Sequence, residues 1–193
     1  MLEKINPEYR YASLVKIRPD WIRKHHFSAL LIDVDNTLLP RNSSVIPEAH
    51  IKWMKEMELN EISMALTSNN GGKRLDEIAR QLKNSGLSVP ILTWAGKPFP
   101  RAYSGAIRLL RNSGWDPPDK DKDTDSILTI GDQLFTDVLG AHLYGLPAIW
   151  IRPLSDNDFI GTKLLRILEK MVAVHLQQTG ILPAEDNESG DCI

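Results

Sequence analysis

Short apolar runs alternate along the chain with segments whose apolar residues recur at helical spacing. The runs predict five strands, at residues 28–34, 62–67, 89–94, 127–130 and 147–151. Because these runs are apolar at nearly every position, they are typical of parallel strands that are buried on both faces. Strands that alternate with helices in this way predict a three-layer α/β/α fold with about five parallel strands.

The segments between the runs predict helices. Pro47 opens the first helix at the position that proline favours, and a turn at residues 69–72 precedes the second. Further helices are predicted over residues 99–110, 134–143 and about 158–178. Ligands of such folds bind beyond the carboxyl ends of the strands. The polar residues predicted at those ends are Asp33, Asp35, Thr37, Thr67, Ser68, Asn69, Lys97, Asp132 and Asp137.

Composition and charge narrow the class of protein. The chain has 193 residues, which is enough for one domain with a sizeable core. Its net charge of −2 predicts no general attraction to nucleic acid, and its single cysteine excludes a disulfide framework. No apolar run approaches the roughly 20 residues of a membrane-spanning helix. These features favour a cytoplasmic protein, either free or attached to the cytoplasmic face of a membrane.

Charge divides the chain into three segments. Residues 1–27 have a local excess of basic side chains, and we expect this segment to pack on or near the core. Residues 28–180 contain all the predicted strands and form the domain. Residues 181–193 are acidic and poor in apolar side chains, which predicts a disordered tail.

Two aspartates, Asp33 and Asp35, lie two positions apart at the end of the first predicted strand. The alternation of a strand puts both side chains on one side of the backbone, where two anions need a cation between them. Carboxylate oxygens favour Mg²⁺ over zinc. Asp132 and Asp137 add oxygen ligands from another strand end, and Lys97 adds a fixed positive charge.

Hydrogen-bond donors stand ahead of the second predicted helix. They are Ser68 and the backbone N–H groups of Asn69 and Asn70, which are suited to binding phosphate oxygens. Carboxylates, a divalent cation, a lysine and helix-start donors together suit phosphoryl transfer, in which fixed groups stabilise spreading negative charge. The pattern therefore favours an enzyme with a phosphorylated substrate.

Four motifs resemble, in order and spacing, those of the haloacid dehalogenase (HAD) phosphatase superfamily. They are Asp33-Val34-Asp35-Asn36-Thr37, Ser68, Lys97 and Gly131-Asp132-Gln133-Leu134-Phe135-Thr136-Asp137. The Asp-Asn-Thr form of the first motif, Ser68-Asn69-Asn70 and Gly96-Lys97-Pro98 are similar to the YqeG branch of HAD subfamily IIIA. That branch resembles the mitochondrial and plastid phosphatidylglycerophosphate phosphatases. Asn36 stands where many members of the superfamily have glycine.

The resemblance implies a role for each acidic residue. Asp33 would be the nucleophile that forms an aspartyl-phosphate. Asp35 would be the general acid for the leaving group and then the base that activates water. Asp33, the backbone carbonyl of Asp35 and Asp132 would hold Mg²⁺, and Asp137 would support this metal site.

The resemblance also implies which residues bind the substrate. Ser68 and Asn69 would contact the phosphate, and Lys97 would steady the charge of the nucleophile and of the phosphate. Thr37 would bond within its loop or to the phosphate. Two arginines nearby in sequence are candidates for contacting a head group: Arg41 and Arg101.

HAD enzymes often carry a cap domain, for which the spacing of the motifs leaves no room. We therefore expect a minimal cap and an open site. The reaction implied by the resemblance is hydrolysis of phosphatidylglycerophosphate to phosphatidylglycerol and phosphate, a step in phospholipid metabolism. Two alternatives remain open. One is a phosphatase for a soluble sugar, nucleotide or protein phosphate, and the other is a HAD-fold regulatory or ribosome-associated binding module with little activity.

An enzyme for a lipid head group would meet a membrane surface. The basic segment contains Tyr9, Tyr11 and Trp21, and tyrosine and tryptophan are enriched at bilayer interfaces. The last predicted helix has an apolar face and a basic face with Lys163, Arg166 and Lys170. We expect that the basic segment and the last helix either contact an anionic membrane peripherally or pack on the domain.

Overall fold

The structure, a computed structural model, describes residues 2–119, 123–155 and 160–186. Its sheet has seven strands in the order β4-β3-β2-β5-β6-β1-β7, and every neighbouring pair is parallel. The strands are β1 (Tyr9–Tyr11), β2 (Ala29–Asp33), β3 (Ser63–Thr67), β4 (Ile91–Leu92), β5 (Ile127–Gly131), β6 (Ala148–Ile151) and β7 (Glu185–Asp186). The five central strands lie where the apolar runs predicted them.

Helices connect the central strands. They are α1 (Pro19–Lys24), α2 (Glu48–Leu59), α3 (Lys73–Asn84), α4 (Pro100–Asn112), α5 (Leu139–Tyr144) and α6 (Ile160–Gln178). A π-helical turn, Leu134–Val138, joins β5 to α5, so the helix predicted over residues 134–143 has two parts. The α/β/α prediction is confirmed.

Side chains on opposite faces of β2 belong to two separate cores. Leu30 and Ile32 pack in one apolar cluster with residues of α2 and α3, such as Met54. Ala29 and Leu31 pack in another cluster with residues of α4 and α5. Because both faces are covered, every residue of β2 is buried, which explains why its sequence reads as a continuous apolar run.

The strands β1 and β7 extend the sheet beyond the predicted five. Both are too short to show a hydrophobic period, and they form by pairing at an edge that β6 would otherwise leave open. Within residues 2–27, Ile5, Leu14 and Ile17 are buried in the apolar clusters of the domain. Of the predicted tail, β7 belongs to the described residues, whereas residues 187–193 lie outside them.

The aromatic side chains of the N-terminal segment contact one another. Tyr11 is buried, and the rings of Tyr9 and Trp21 meet edge to face with their centroids 4.7 Å apart. In α6, Leu168 and Met171 are exposed, whereas the side chains of Lys163 and Arg166 lie outside what the structure describes. Within the described part of the chain, no helix combines the length and the apolar character that crossing a bilayer requires.

Short connections leave the carboxyl edge of the central strands. Residues 34–47 join β2 to α2, and residues 68–72 join β3 to α3. In the described ranges, neither connection contains an inserted domain, as the motif spacing predicted. The side chains at this edge are therefore covered by the connections themselves and by the first turn of α3.

Candidate active site

Three aspartates meet at the carboxyl edge of the central strands. Asp33 ends β2, Asp132 directly follows β5, and Asp137 lies in the π-helical turn. One carboxylate oxygen from each lies within 4.8 Å of the others, and all three residues are buried. The parallel strand ends thus bring together residues that are about a hundred positions apart.

Lys97 reaches into this cluster from the loop after β4. Its ammonium group donates hydrogen bonds to Asp33 Oδ1 at 2.6 Å and to Asp137 Oδ1 at 2.7 Å. The side chain of Lys97 is 3 % exposed, so these two ion pairs are shielded from water. Buried charges of this kind are stable only when they are paired.

The cluster brings buried acidic groups close together. Three carboxylates lie around the ammonium group of Lys97. Burial raises the pKa of Asp33 well above its ordinary value; the charge of Lys97 opposes this rise, and those of Asp137 and Asp132 add to it. Burial would lower the pKa of Lys97, but the charges of Asp137 and Asp33 outweigh burial and raise it, so Lys97 is charged.

Among the described residues, one carboxylate oxygen of the cluster has no hydrogen-bond partner. Asp33 Oδ2 is buried and has no hydrogen-bond partner among the described residues. Buried carboxylate oxygens are normally satisfied by a donor or by a cation. An oxygen without a donor among three clustered carboxylates fits a divalent cation with oxygen ligands.

Asp35 has a different set of partners. Its Oδ2 accepts hydrogen bonds from Ser68 Oγ at 3.1 Å and from Asn70 Nδ2 at 2.9 Å. Its Oδ1 forms an ion pair with Arg74 Nη1 at 2.9 Å. The carboxylate of Asp35 is therefore outside the three-aspartate cluster. Neither the side chain of Asn70 nor Arg74 is among the predicted site residues.

Asn69 holds the loop that carries Lys97. Its Nδ2 donates to the backbone carbonyl of Lys97 at 3.0 Å, and its Oδ1 accepts from the backbone N–H of Lys97 at 2.8 Å. The side-chain amide of Asn69 thus bonds to the Lys97 loop, and contact between Asn69 and the substrate stays a prediction. Thr37 Oγ1 lies 3.5 Å from Asp132 Oδ1, a long contact within the site.

Asn36 has a left-handed backbone, with φ of 63°. Glycine and asparagine tolerate this conformation better than other residues, which explains asparagine where many HAD proteins have glycine. Its backbone carbonyl accepts from the N–H of Leu154 at 2.9 Å, and its Oδ1 accepts from Ser155 Oγ at 2.6 Å. The first motif is thereby tied to the loop after β6.

Asp137 is held by its surroundings. Its Oδ2 accepts from the backbone N–H of Gln133 at 3.0 Å. The Tyr103 hydroxyl donates to the carbonyl of Thr136 at 2.9 Å and so supports the π-helical turn. A Cβ on Gly131 would lie 2.3 Å from Asp137 Cγ, so only glycine leaves room for this carboxylate.

Arg101 and Arg41, the two candidates for contacting a head group, have different neighbours. The guanidinium of Arg101 lies against Gly96, beside the Lys97 loop. The backbone N–H of Arg41 donates to Asn36 Oδ1 at 3.2 Å. Arg41 lies in the connection between β2 and α2, and Arg101 lies in the first turn of α4, so both residues are neighbours of the site.

A doubly covered parallel sheet whose four motifs converge at one carboxyl edge defines a phosphatase of the HAD class. The model of the family described as mitochondrial PGP phosphatase matches residues 2–154, and the chain belongs to this family. The "Probable phosphatase YqeG" of Bacillus subtilis (strain 168) is 26% identical over 180 residues, covering 93% of this chain and 96% of that one. The predicted superfamily and YqeG resemblance are confirmed.

Solved structures share the general arrangement at low identity. The cobalt-bound deoxy-D-mannose-octulosonate 8-phosphate phosphatase YrbI of Haemophilus influenzae is 14% identical with a TM-score of 0.44, covering 81% of this chain and 91% of that chain. The thermostable NPPase double mutant of Geobacillus stearothermophilus is 13% identical with a TM-score of 0.40, covering 70% and 100%. At these TM-scores the likeness carries no statement about function.

Proposed function

We propose that this phosphatase is a Mg²⁺-dependent phosphomonoester hydrolase that acts through Asp33, with phosphatidylglycerophosphate as its substrate and phosphatidylglycerol as its product. The observation that carries the chemistry is the buried cluster of three aspartates around Lys97, with its orphaned Asp33 oxygen. Asp33, Asp132 and the backbone carbonyl of Asp35 would hold the ion, with Asp137 beside them. Bound Mg²⁺ would offset the negative charge that gathers around the phosphoryl group.

The first half-reaction would transfer the phosphoryl group to the protein. A carboxylate oxygen of Asp33 forms a bond to phosphorus while the bond from phosphorus to the ester oxygen breaks. Asp35 donates a proton to that departing oxygen. Lys97 lies 2.6 Å from Asp33 Oδ1, so its charge stabilises the group that attacks.

The second half-reaction would release phosphate. Asp35, now ionised, takes a proton from water as the water oxygen bonds to phosphorus. The bond from phosphorus to the Asp33 oxygen breaks, and the carboxylate is restored. Ser68 and Thr37 are proposed to donate to phosphate oxygens, and Asn69 supports the substrate site by holding the Lys97 loop.

Three observations support a lipid head group as the substrate. The family is the one described as mitochondrial PGP phosphatase. The carboxyl edge lacks an inserted domain among the described residues, which suits a phosphate attached to something bulky. Trp94 and Phe99 flank Lys97 and are 71% and 63% exposed, a placement suited to a bilayer interface. We accordingly propose peripheral attachment to an anionic membrane on its cytoplasmic face, with Arg101 as a candidate for contacting the head group.

The test compares substrates and metals with matched variants. Purified protein is given phosphatidylglycerophosphate in anionic vesicles, or a panel of sugar phosphates, nucleotides and a phosphopeptide, with Mg²⁺ or with EDTA. We expect Mg²⁺-dependent phosphate release with the lipid giving the highest kcat/KM. Asp33→Asn should abolish turnover without unfolding the protein, whereas Asp76→Asn, a change at an exposed position of α3, should leave turnover intact.

The possible results separate the alternatives. A higher kcat/KM for a member of the panel would overturn the lipid substrate and leave a phosphatase for soluble compounds. Near-normal turnover by Asp33→Asn would reject the nucleophile. The absence of metal-dependent turnover with every substrate would favour the binding module. Phosphatidylglycerophosphate that accumulates in cells depleted of the protein would support the lipid reaction.

A further inference from the structure

We propose that Arg74 is a positioning residue that orients Asp35 for proton transfer to the leaving group. This proposal rests on the proposed function, in which Asp35 is the general acid. Arg74 lies in the first turn of α3, outside the four motifs, and its Nη1 is 2.9 Å from Asp35 Oδ1. The side chains are 25% and 6% exposed, so the ion pair is largely shielded from water.

The two oxygens of Asp35 are held by different groups. Asn70 donates to Oδ2, which fixes that oxygen but leaves the carboxyl plane able to turn about it. Arg74 contacts Oδ1, and this second contact fixes the orientation of the carboxyl plane of Asp35. A proton carried by a carboxyl group reaches the departing oxygen only when this plane has the right orientation.

Arg74 is itself held in place. Its Nε donates to the backbone carbonyl of Ser43 at 2.7 Å. Ser43 belongs to the connection between β2 and α2, and Arg74 belongs to the helix that follows Ser68. The guanidinium therefore links the loop of the first motif, the helix of the second motif and Asp35. A rigid planar fork suits this task better than the flexible ammonium of lysine.

Positioning of a general acid has a signature that a purely structural role lacks. An alkyl ester needs a proton on its departing oxygen, whereas nitrophenolate leaves without one. The ratio kcat/KM covers the steps up to release of the leaving group, so it isolates the step in which Asp35 acts as an acid. General acid catalysis contributes typically about 10²–10⁴-fold, and misplacement by about 1 Å costs on the order of 10²-fold.

The experiment compares p-nitrophenyl phosphate with propyl phosphate at saturating Mg²⁺ in five proteins. They are the unchanged chain, Arg74→Met, Arg74→Lys, Asp35→Asn and the matched control Arg80→Met, which alters an exposed arginine of the same helix. We expect Arg74→Met to raise the nitrophenyl-to-propyl ratio of kcat/KM by about tenfold or more. Asp35→Asn should raise it further, Arg74→Lys should give an intermediate value, and Arg80→Met should not change it.

Each result has a definite meaning. Equal losses of kcat/KM for both esters in Arg74→Met, or no loss, would overturn the positioning role. If Arg74→Met fails to fold, Arg74→Lys carries the same comparison, and an unchanged ratio there would also overturn it. An unchanged ratio in Asp35→Asn would remove the general acid and this proposal with it. Hydrolysis of neither ester by the unchanged chain would instead refute the proposed phosphatase chemistry.

Discussion

Replacing Lys97 by methionine removes the ammonium group from the buried cluster while keeping most of the side-chain volume. Lys97 forms two ion pairs, at 2.6 Å with Asp33 and at 2.7 Å with Asp137. Removing one partner of a buried pair costs about 3–5 kcal/mol, because the remaining charge stays buried without compensation. The raised pKa of Asp33 limits this cost, since Asp33 can take up a proton. We therefore expect a loss of about 3 kcal/mol in the free energy of unfolding at neutral pH.

The assay is urea unfolding with EDTA and then with Mg²⁺, comparing Lys97→Met with Lys83→Met at an exposed position of α3. The control should change stability by less than about 0.5 kcal/mol. The loss in Lys97→Met should shrink when Mg²⁺ is present, because a bound cation would take over part of the charge compensation. A loss below about 1 kcal/mol in EDTA would refute the view that Lys97 neutralises buried charge. An equal loss with and without Mg²⁺ would refute the cation site.

Two further predictions concern the contact of α5 with the N-terminal segment and the glycine beside Asp137. His142 lies 2.9 Å from Glu8: burial would lower the pKa of His142, but the hydrogen bond and charge of Glu8 outweigh burial and raise it. The histidine's contribution to stability is present below its ordinary pKa and lost as pH rises through the raised value. Burial would raise the pKa of Glu8, but His142 and a backbone donor lower it, so the glutamate's contribution is lost only at lower pH. His142→Gln should therefore destabilise the protein more at about pH 5.5 than at about pH 9 in urea unfolding, and the reverse order would contradict the pairing. Gly131→Ala would place a Cβ 2.3 Å from Asp137 Cγ, so phosphatase activity should fall sharply and unfolding free energy should drop by about 1–3 kcal/mol. Gly105→Ala, whose Cβ would meet a leucine methyl at 3.2 Å, should be milder in both assays, and equal effects would contradict the steric argument.

The central sheet could be predicted because its evidence is local. A strand covered on both faces must be apolar at successive positions, and β2 shows this directly in its sequence. Once the strands are parallel, their carboxyl ends lie at one edge, and the polar residues that follow them must meet there. Asp33, Lys97 and Asp132 are brought together in this way.

The partners of these residues could not be predicted, since they depend on tertiary contacts. Arg74 occupies an ordinary helical position, and its ion pair with Asp35 arises only when α3 packs beside β2. Tyr103 reads as an apolar residue of α4, yet its hydroxyl supports the π-helical turn. The two short strands β1 and β7 likewise depend on tertiary pairing, β1 with β6 and β7 with β1.

Asp33 ends β2 and Asp35 lies in the loop beyond it, and the two aspartates differ in their charged partners. Asp33 shares one lysine with Asp137 and lies beside a third carboxylate, that of Asp132. Asp35 has an arginine of its own. A divalent cation would therefore be drawn to Asp33, where three carboxylates are clustered. Asp35 would stay available for proton transfer, so each aspartate's partners match the chemistry proposed for it.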